Sequence, residues 1–146
     1  MSNELIARIV ASLDIEEVWD IQCAAMKGFG FDRLIYGFTR FAPGTTLGDI
    51  RDAVILTRHD PDYVQKFIEE EMYKKGPMIK WAAENTGACS WSLIHQTIAE
   101  GKLTPPEMEM MAINMQMEVV AGYTMSFNDP SMRSKGALGL TAKRGL

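Results

Sequence analysis

Tyr63, Phe67, Trp81 and Trp91 set four large aromatic rings on either side of a helix break at Gly76-Pro77. Rings at that density either fill a core or line a space meant to be filled by something else. Catalytic chemistry finds no support. There is no G-x-S-x-G, no H-E-x-x-H and no C-x-x-C, so nucleophile-elbow, zinc-protease and dithiol reactions are excluded. "GFGFDR" (28–33) has two glycines and precedes a strand instead of following one, which does not make a phosphate cradle. His59 and His95 stand alone, Cys89 lacks an activating neighbour and reads as a buried thiol, and Glu69-Glu70-Glu71 reads as a solvated helix face. No catalytic residue, metal ligand or cofactor is expected, and the chain is not read as an enzyme.

The elements that must position these rings lie within bounds set by composition. A chain of 146 residues fits one domain, 1–146, and buries most of its unfolded surface without staples. Its hydrophobic content of 47% against 23% charge excludes disorder. A net charge of −4 argues against direct contact with DNA or an anionic membrane. Cys23 and Cys89 have no ligand spacing and read as buried free thiols of a reducing compartment. "MSNELIARIV" carries Glu4 and is no signal peptide, and no apolar run approaches the roughly 18 residues of a membrane span. A soluble, cytoplasmic protein is expected.

A first helix is read over 2–12, with Leu5, Ile6, Ile9 and Val10 as apolar surface. Asp14-Ile-Glu-Glu17 has the form of a capping box for a second helix that ends at Gly28-Phe-Gly30. "RLIYGFTR" (33–40) and "AVILTR" (53–58) read as strands, the first closing at Ala42-Pro-Gly-Thr. Asp60-Pro61 opens a helix predicted over about 61–75, with Tyr63, Phe67 and Met72 on one side. Its two lysines and Gly76 look like a C-terminal stop needing φ > 0. A short helix follows from Met78 to about Asn85, and Thr104-Pro-Pro-Glu107 opens a methionine-rich helix that Gly122 would stop. "YTMSFN" and "ALGLTA" read as two strands joined at Asp129-Pro-Ser. Strand pairs separated by a helical block predict an α+β fold, with a ligand cavity possible between sheet and helices. "EMEMMAINMQMEVV" (107–120) would supply either plain core or an adaptable wall for a flexible apolar ligand.

At the break the spacing becomes specific. Tyr63 and Phe67 are four residues apart, Gly76-Pro77 falls nine after Phe67, and Trp91 falls fifteen after Gly76. With "FGFDRLIYGFTRF", "AGYTMSF" and "KGALGLTA", this resembles the autoinducer-binding domain of LuxR-type quorum-sensing transcription factors over almost the whole chain. The resemblance implies an α-β-α sandwich in which an antiparallel sheet of about five strands holds an acyl-homoserine lactone against helices. It implies a transcription-regulating sensor. Trp91 would give its indole N–H to the lactone carbonyl, and Tyr63 and Phe67 would shape the pocket. Pro77, Ile55, His59, Ile79 and Met110 complete the expected ligand-binding set, with Gly76 and Gly139.

Several positions depart from the family pattern. Gly76 stands where the family has an Asp that accepts the amide N–H, Tyr63 where it usually has tryptophan, and Phe67 where it usually has tyrosine. Gly139, with Thr141 next on the same face, stands where a Ser or Thr commonly faces the ligand carbonyl. The expected ligand is therefore an acyl-homoserine lactone or an atypical small apolar signal. The alternative is a ligand-independent module that pairs with full-length relatives and antagonises them, its cavity filled by Phe67, Met110 and Met111. The chain ends at "TAKRGL" without a helix-turn-helix, so DNA would be reached only through a domain absent from it. A homodimer is expected through exposed apolar helix surface, and no membrane contact.

Overall fold

The computed structural model describes residues 3–39, 53–128 and 134–142. The elements run α1 (Asn3–Val10), α2 (Ile15–Gly28), β1 (Phe31–Thr39), β2 (Val54–Thr57), α3 (Pro61–Val64), α4 (Pro77–Glu84), β3 (Gly87–Ser90), α5 (Ser92–Ala99), α6 (Pro105–Gln116), β4 (Ala121–Asn128) and β5 (Lys135–Ala142). The five strands form one antiparallel sheet in the order β2-β1-β5-β4-β3. This is the expected α+β architecture of helices on both faces of an antiparallel sheet.

Local signals placed the helix starts. Asp14 caps α2 by accepting the Glu17 N–H at 2.8 Å, and the Glu17 carboxylate accepts the Leu13 N–H at 3.0 Å. Thr104 and Glu107 form a complete capping box at α6, with proline in the first turn. The pleat then sorts side chains to two faces. Leu34 and Tyr36 of β1, Leu56 of β2, Leu138 and Leu140 of β5, and Met125 of β4 pack with Trp19 and Met26 of α2. Residues of opposite parity face α3 to α6.

The predicted helix over 61–75 is broken. After α3 the chain widens into a π turn (Gln65–Glu69), passes through Glu71 at φ 58°, and tightens into a 3₁₀ turn (Met72–Lys75). A regular helix would follow Tyr63 and Phe67 with Glu70 and Glu71 on the same buried face, and burying two carboxylates is costly. The irregular winding keeps all three glutamates exposed and brings Met72 inside.

Gly76 is also corrected. Its φ of −78° and ψ of 128° are extended, because a residue before proline is driven out of helical conformations. It ends the 3₁₀ turn, its N–H donating to the Tyr73 carbonyl at 3.2 Å, and opens α4, without the positive φ expected of it. Gly122 lies within β4, where a Cβ would come 1.9 Å from the Leu140 carbonyl oxygen; α6 stops six residues earlier at Gln116. β3 and α5 were not anticipated. Cys23 and Cys89 are free but only half-buried. The predicted turns at Ala42-Pro-Gly-Thr and Asp129-Pro-Ser, and the closing "KRGL", fall outside the described residues.

Candidate functional site: a cavity between sheet and helices

Along β5, Leu138 and Leu140 point to α2, while Ala137, Gly139 and Thr141 point the other way. The ladder carries this smallness across the sheet. Gly37 of β1 pairs with Ala137, which pairs with Ser126 of β4; Ile35 pairs with Gly139, which pairs with Thr124. Ser126 reaches α4, its hydroxyl donating to the Ala82 carbonyl at 2.6 Å, but Gly37, Ala137 and Gly139 are too small to fill the space beneath the helices. The result is a cavity of about 760 Å³ between the sheet and α3 to α6, towards the upper end of the roughly 300–1,000 Å³ common for small-molecule sites.

The helical wall is a cluster built on Tyr63, Phe67, Met72, Met110 and Val119. Its rings form a ladder. His59 stacks on Tyr63 with centroids 4.7 Å apart, Tyr63 meets Phe67 at 5.6 Å, and Phe67 stacks on Tyr73 at 6.0 Å. The π turn matters here, because it sets Phe67 and Ile68 into the wall of the cavity. The Tyr63 hydroxyl donates to Asn114 Oδ1 at 3.0 Å, tying α3 to α6. Arg33 of β1 donates to the carbonyls of Met117 and Glu118, holding the turn after α6, where Glu118 has φ 58°.

Trp91 sits at the junction of β3 and α5, fixed by two hydrogen bonds to β4. Its backbone N–H donates to the Gly122 carbonyl at 2.9 Å and its indole Nε1–H to Thr124 Oγ1 at 2.8 Å. Thr124, almost fully buried, retains its own hydroxyl proton and a lone pair. His59 is buried with Nδ1 lacking a hydrogen-bond partner. Burial first, then the Arg33 charge, push its pKa down to about 4, with Asp32 opposing, so the imidazole is neutral near pH 7. Among the described residues lining the cavity, none is Asp, Glu, Lys or Arg. The space therefore suits an uncharged, mainly apolar molecule, because an unpaired charge there would be costly.

All ten residues expected around a ligand face this one cavity. Trp91, Tyr63, Phe67 and His59 supply rings, Gly76 and Pro77 the start of α4, and Ile55, Ile79, Met110 and Gly139 the remaining wall. Trp81 is not in the lining. Thr124, Asn114, Tyr73 and His95 also line it and were not anticipated. Asn114 had a signal: it follows Met110 by one helical turn on a face otherwise made of methionine. Thr124 had one too, the alternation of "YTMSFN".

The autoinducer binding domain family matches residues 14–145. No curated protein matches the chain. Among solved structures, the N-acylhomoserine lactone dependent LuxR family transcription factor CepR2 from Burkholderia cenocepacia superposes with a TM-score of 0.73 at 16% identity, over 96% of this chain and 75% of that one. Escherichia coli SdiA superposes with a TM-score of 0.73 at 13% identity, over 98% of this chain and 55% of that one. SdiA in complex with octanoyl-rac-glycerol does so equally, over 53% of its length. The chain thus spans little more than half of SdiA, and at these identities the likeness is one of fold. No helix among the described residues is long and apolar enough to cross a membrane. The match over residues 14–145, on a chain folded around such a cavity, places this protein in the autoinducer-binding domain family, whose members are signal-binding regulatory domains of LuxR-type quorum-sensing regulators and not enzymes.

Proposed function

We propose that this domain senses an uncharged small molecule with an apolar tail and couples its binding to transcription. The observation that carries the reading is the cavity itself, about 760 Å³ of space beside Trp91 without a charged side chain in its lining. Trp91 and Thr124 form its polar end. The indole N–H can turn from Thr124 to a ligand carbonyl, or Thr124 can donate while still held by Trp91. His59 Nδ1 offers a neutral acceptor when the ring proton sits on Nε2. Phe67, Tyr63, Ile79 and Met110 would surround the tail. Binding would tighten the helical block on the sheet and shift the population towards a regulatory form.

A lactone of the kind to which CepR2 responds is one candidate, and an acylglycerol like that bound by SdiA is another. An ester has no amide N–H, so it does not need the carboxylate missing at Gly76. Phe67 and Met110 stand in the wall and leave the space open, which favours sensing over a ligand-independent antagonist. We further propose a homodimer: α1 has no buried residue, and it exposes Ile6 and Val10. DNA would be reached through a domain outside this chain, and the cytoplasm is the compartment where such a regulator would act. The test is mass spectrometry of small molecules extracted from protein purified from its native host, with thermal shift on adding them back. A co-purifying neutral amphiphile that raises the melting temperature is expected; protein that is empty and indifferent to every lactone and acylglycerol added would overturn the reading.

A further inference from the structure

Most cavity-lining residues are buried or half-buried, but three are exposed. His95 and Ile98 lie on α5 and Met115 on the last turn of α6, and Ile98 and Met115 are 47% and 59% exposed while still forming cavity wall. A side chain can do both only at an opening. α5 is lightly held: Ile94 is its one buried residue, and the helix ends at Glu100 and Gly101, the latter with φ 68°. One polar contact crosses beside the opening, His95 Nε2 to the Val120 carbonyl at 3.2 Å. Apart from His95, held by that contact, the rim residues Ile98 and Met115 are apolar and continuous with an apolar interior.

Resting on the sensing reading above, we propose that the cavity opens between α5 and the C-terminal end of α6. The end of a long alkyl tail leaves through this mouth, and Ile98 and Met115 decide which tail lengths are accepted. The ligands this site favours are neutral amphiphiles with tails long enough to reach the rim. An enclosed pocket rejects a tail one or two methylenes too long, because overfilling strains a packed wall. An open one does not. Each methylene inside adds roughly fourfold in affinity; those beyond the rim cover Ile98 and Met115 and add less, without reversing the trend.

The experiment is calorimetric titration of the purified chain with butanoyl, octanoyl, dodecanoyl and tetradecanoyl homoserine lactones and the matching acylglycerols. Wild type should gain affinity steeply with length and then level off. Ile98→Trp and Met115→Trp, both at exposed positions that leave the core unchanged, should close the rim. They should lower tetradecanoyl affinity by about tenfold or more beyond any change in octanoyl affinity. Circular dichroism would confirm that each variant is folded. As a second measurement on wild type, a tetradecanoyl probe ending in a carboxylate should bind nearly as well as the plain one, its charge reaching water. The octanoyl counterpart should be rejected, its charge falling among apolar side chains. A sharp fall in wild-type affinity beyond one tail length would overturn the mouth, as would folded Trp variants that keep tetradecanoyl affinity. Failure of every probe at every length would instead overturn the sensing reading, and the mouth with it.

Discussion

Gly76→Asp tests what the cavity does with an amide. Gly76 is buried, lines the cavity and precedes Pro77 at the start of α4. Its φ of −78° and ψ of 128° are open to any residue, so aspartate meets no backbone strain. An added Cβ would stand 3.3 Å from Ile79 Cγ1 and 3.5 Å from the Tyr73 carbonyl oxygen; Ile79 must give by a few tenths of an ångström. Against that, α4 has no side-chain cap. The new carboxylate would accept from an N–H in the first turn of α4, worth a few tenths of a kcal/mol over glycine, with about 0.3–1 kcal/mol more from the helix dipole. Desolvation of the carboxylate opposes both. The net change in stability should stay within about 1 kcal/mol.

The larger effect is on the ligand. A carboxylate has two oxygens, so one can cap α4 while the other accepts an amide N–H. A hydrogen bond to a charged group contributes about 1.5–3 kcal/mol, or roughly ten- to a hundredfold in affinity. Octanoyl-homoserine lactone has that N–H and octanoyl-rac-glycerol does not. Titration calorimetry of both ligands on both proteins should show the gain for the lactone alone, and Gly76→Asn, which also caps, should gain less. Equal gains for amide and ester would refute the reasoning. Tight lactone binding by the unmodified domain would show that His59 Nδ1 or a bound water already accepts the amide.

The remaining predictions concern stability. His59 titrates near 4 folded, below its ordinary 6.5, so the unfolded chain binds the extra proton between those values. Stability should be complete above about pH 6.5 and fall towards pH 4, by at most about 1.4 kcal/mol per pH unit; urea titrations across pH should show this slope, and His59→Phe, which keeps the stack on Tyr63, should flatten it. Glu71→Gly should stabilise by about 0.5–1 kcal/mol, because it relieves a left-handed conformation at an exposed site, less the entropy glycine loses on folding; the melting temperature should rise by a few degrees. Gly122→Ala should cost about 3–5 kcal/mol, since its Cβ would overlap the Leu140 carbonyl oxygen, and a loss under 1 kcal/mol by chemical denaturation would contradict the close approach of β4 to β5.

What could be read from the chain was what local chemistry decides. The caps at Asp14 and Thr104 and the alternation of "ALGLTA" each act within a few residues. β3 was not legible because "GACS" has little strand preference; it is a strand only because its backbone pairs with β4 at one edge of the sheet. The helix over 61–75 failed for a non-local reason. Met72 is buried by contact with α3 and α6 elements brought together in space, and that contact decides against regular winding. The spacing of Tyr63, Phe67, Gly76 and Trp91 led to the cavity wall, but the mouth at Ile98 and Met115 depends on where α5 lies, which no run of residues announces.

The two faces of the sheet explain why this fold can hold a ligand while its core stays packed. On β5, one face places Leu138 and Leu140 against Trp19 and Met26, and this half of the molecule is closed by its own side chains. The opposite face presents Ala137, Gly139 and Thr141 from the same eight residues. The α2 side is therefore packed without a ligand, while the helical block on the other side lines the space a ligand would occupy. The irregular segment between α3 and α4 belongs to that second half, with Glu71 held in a left-handed conformation and Phe67 on a π turn. Strain of this kind persists where the surroundings impose it, and here the surroundings include the cavity that a ligand would fill. A ligand present at a hundred times its dissociation constant adds about 2.7 kcal/mol to the folded state. That is a sizeable fraction of the roughly 5–15 kcal/mol by which a domain is stable, and enough to order a loosely held wall.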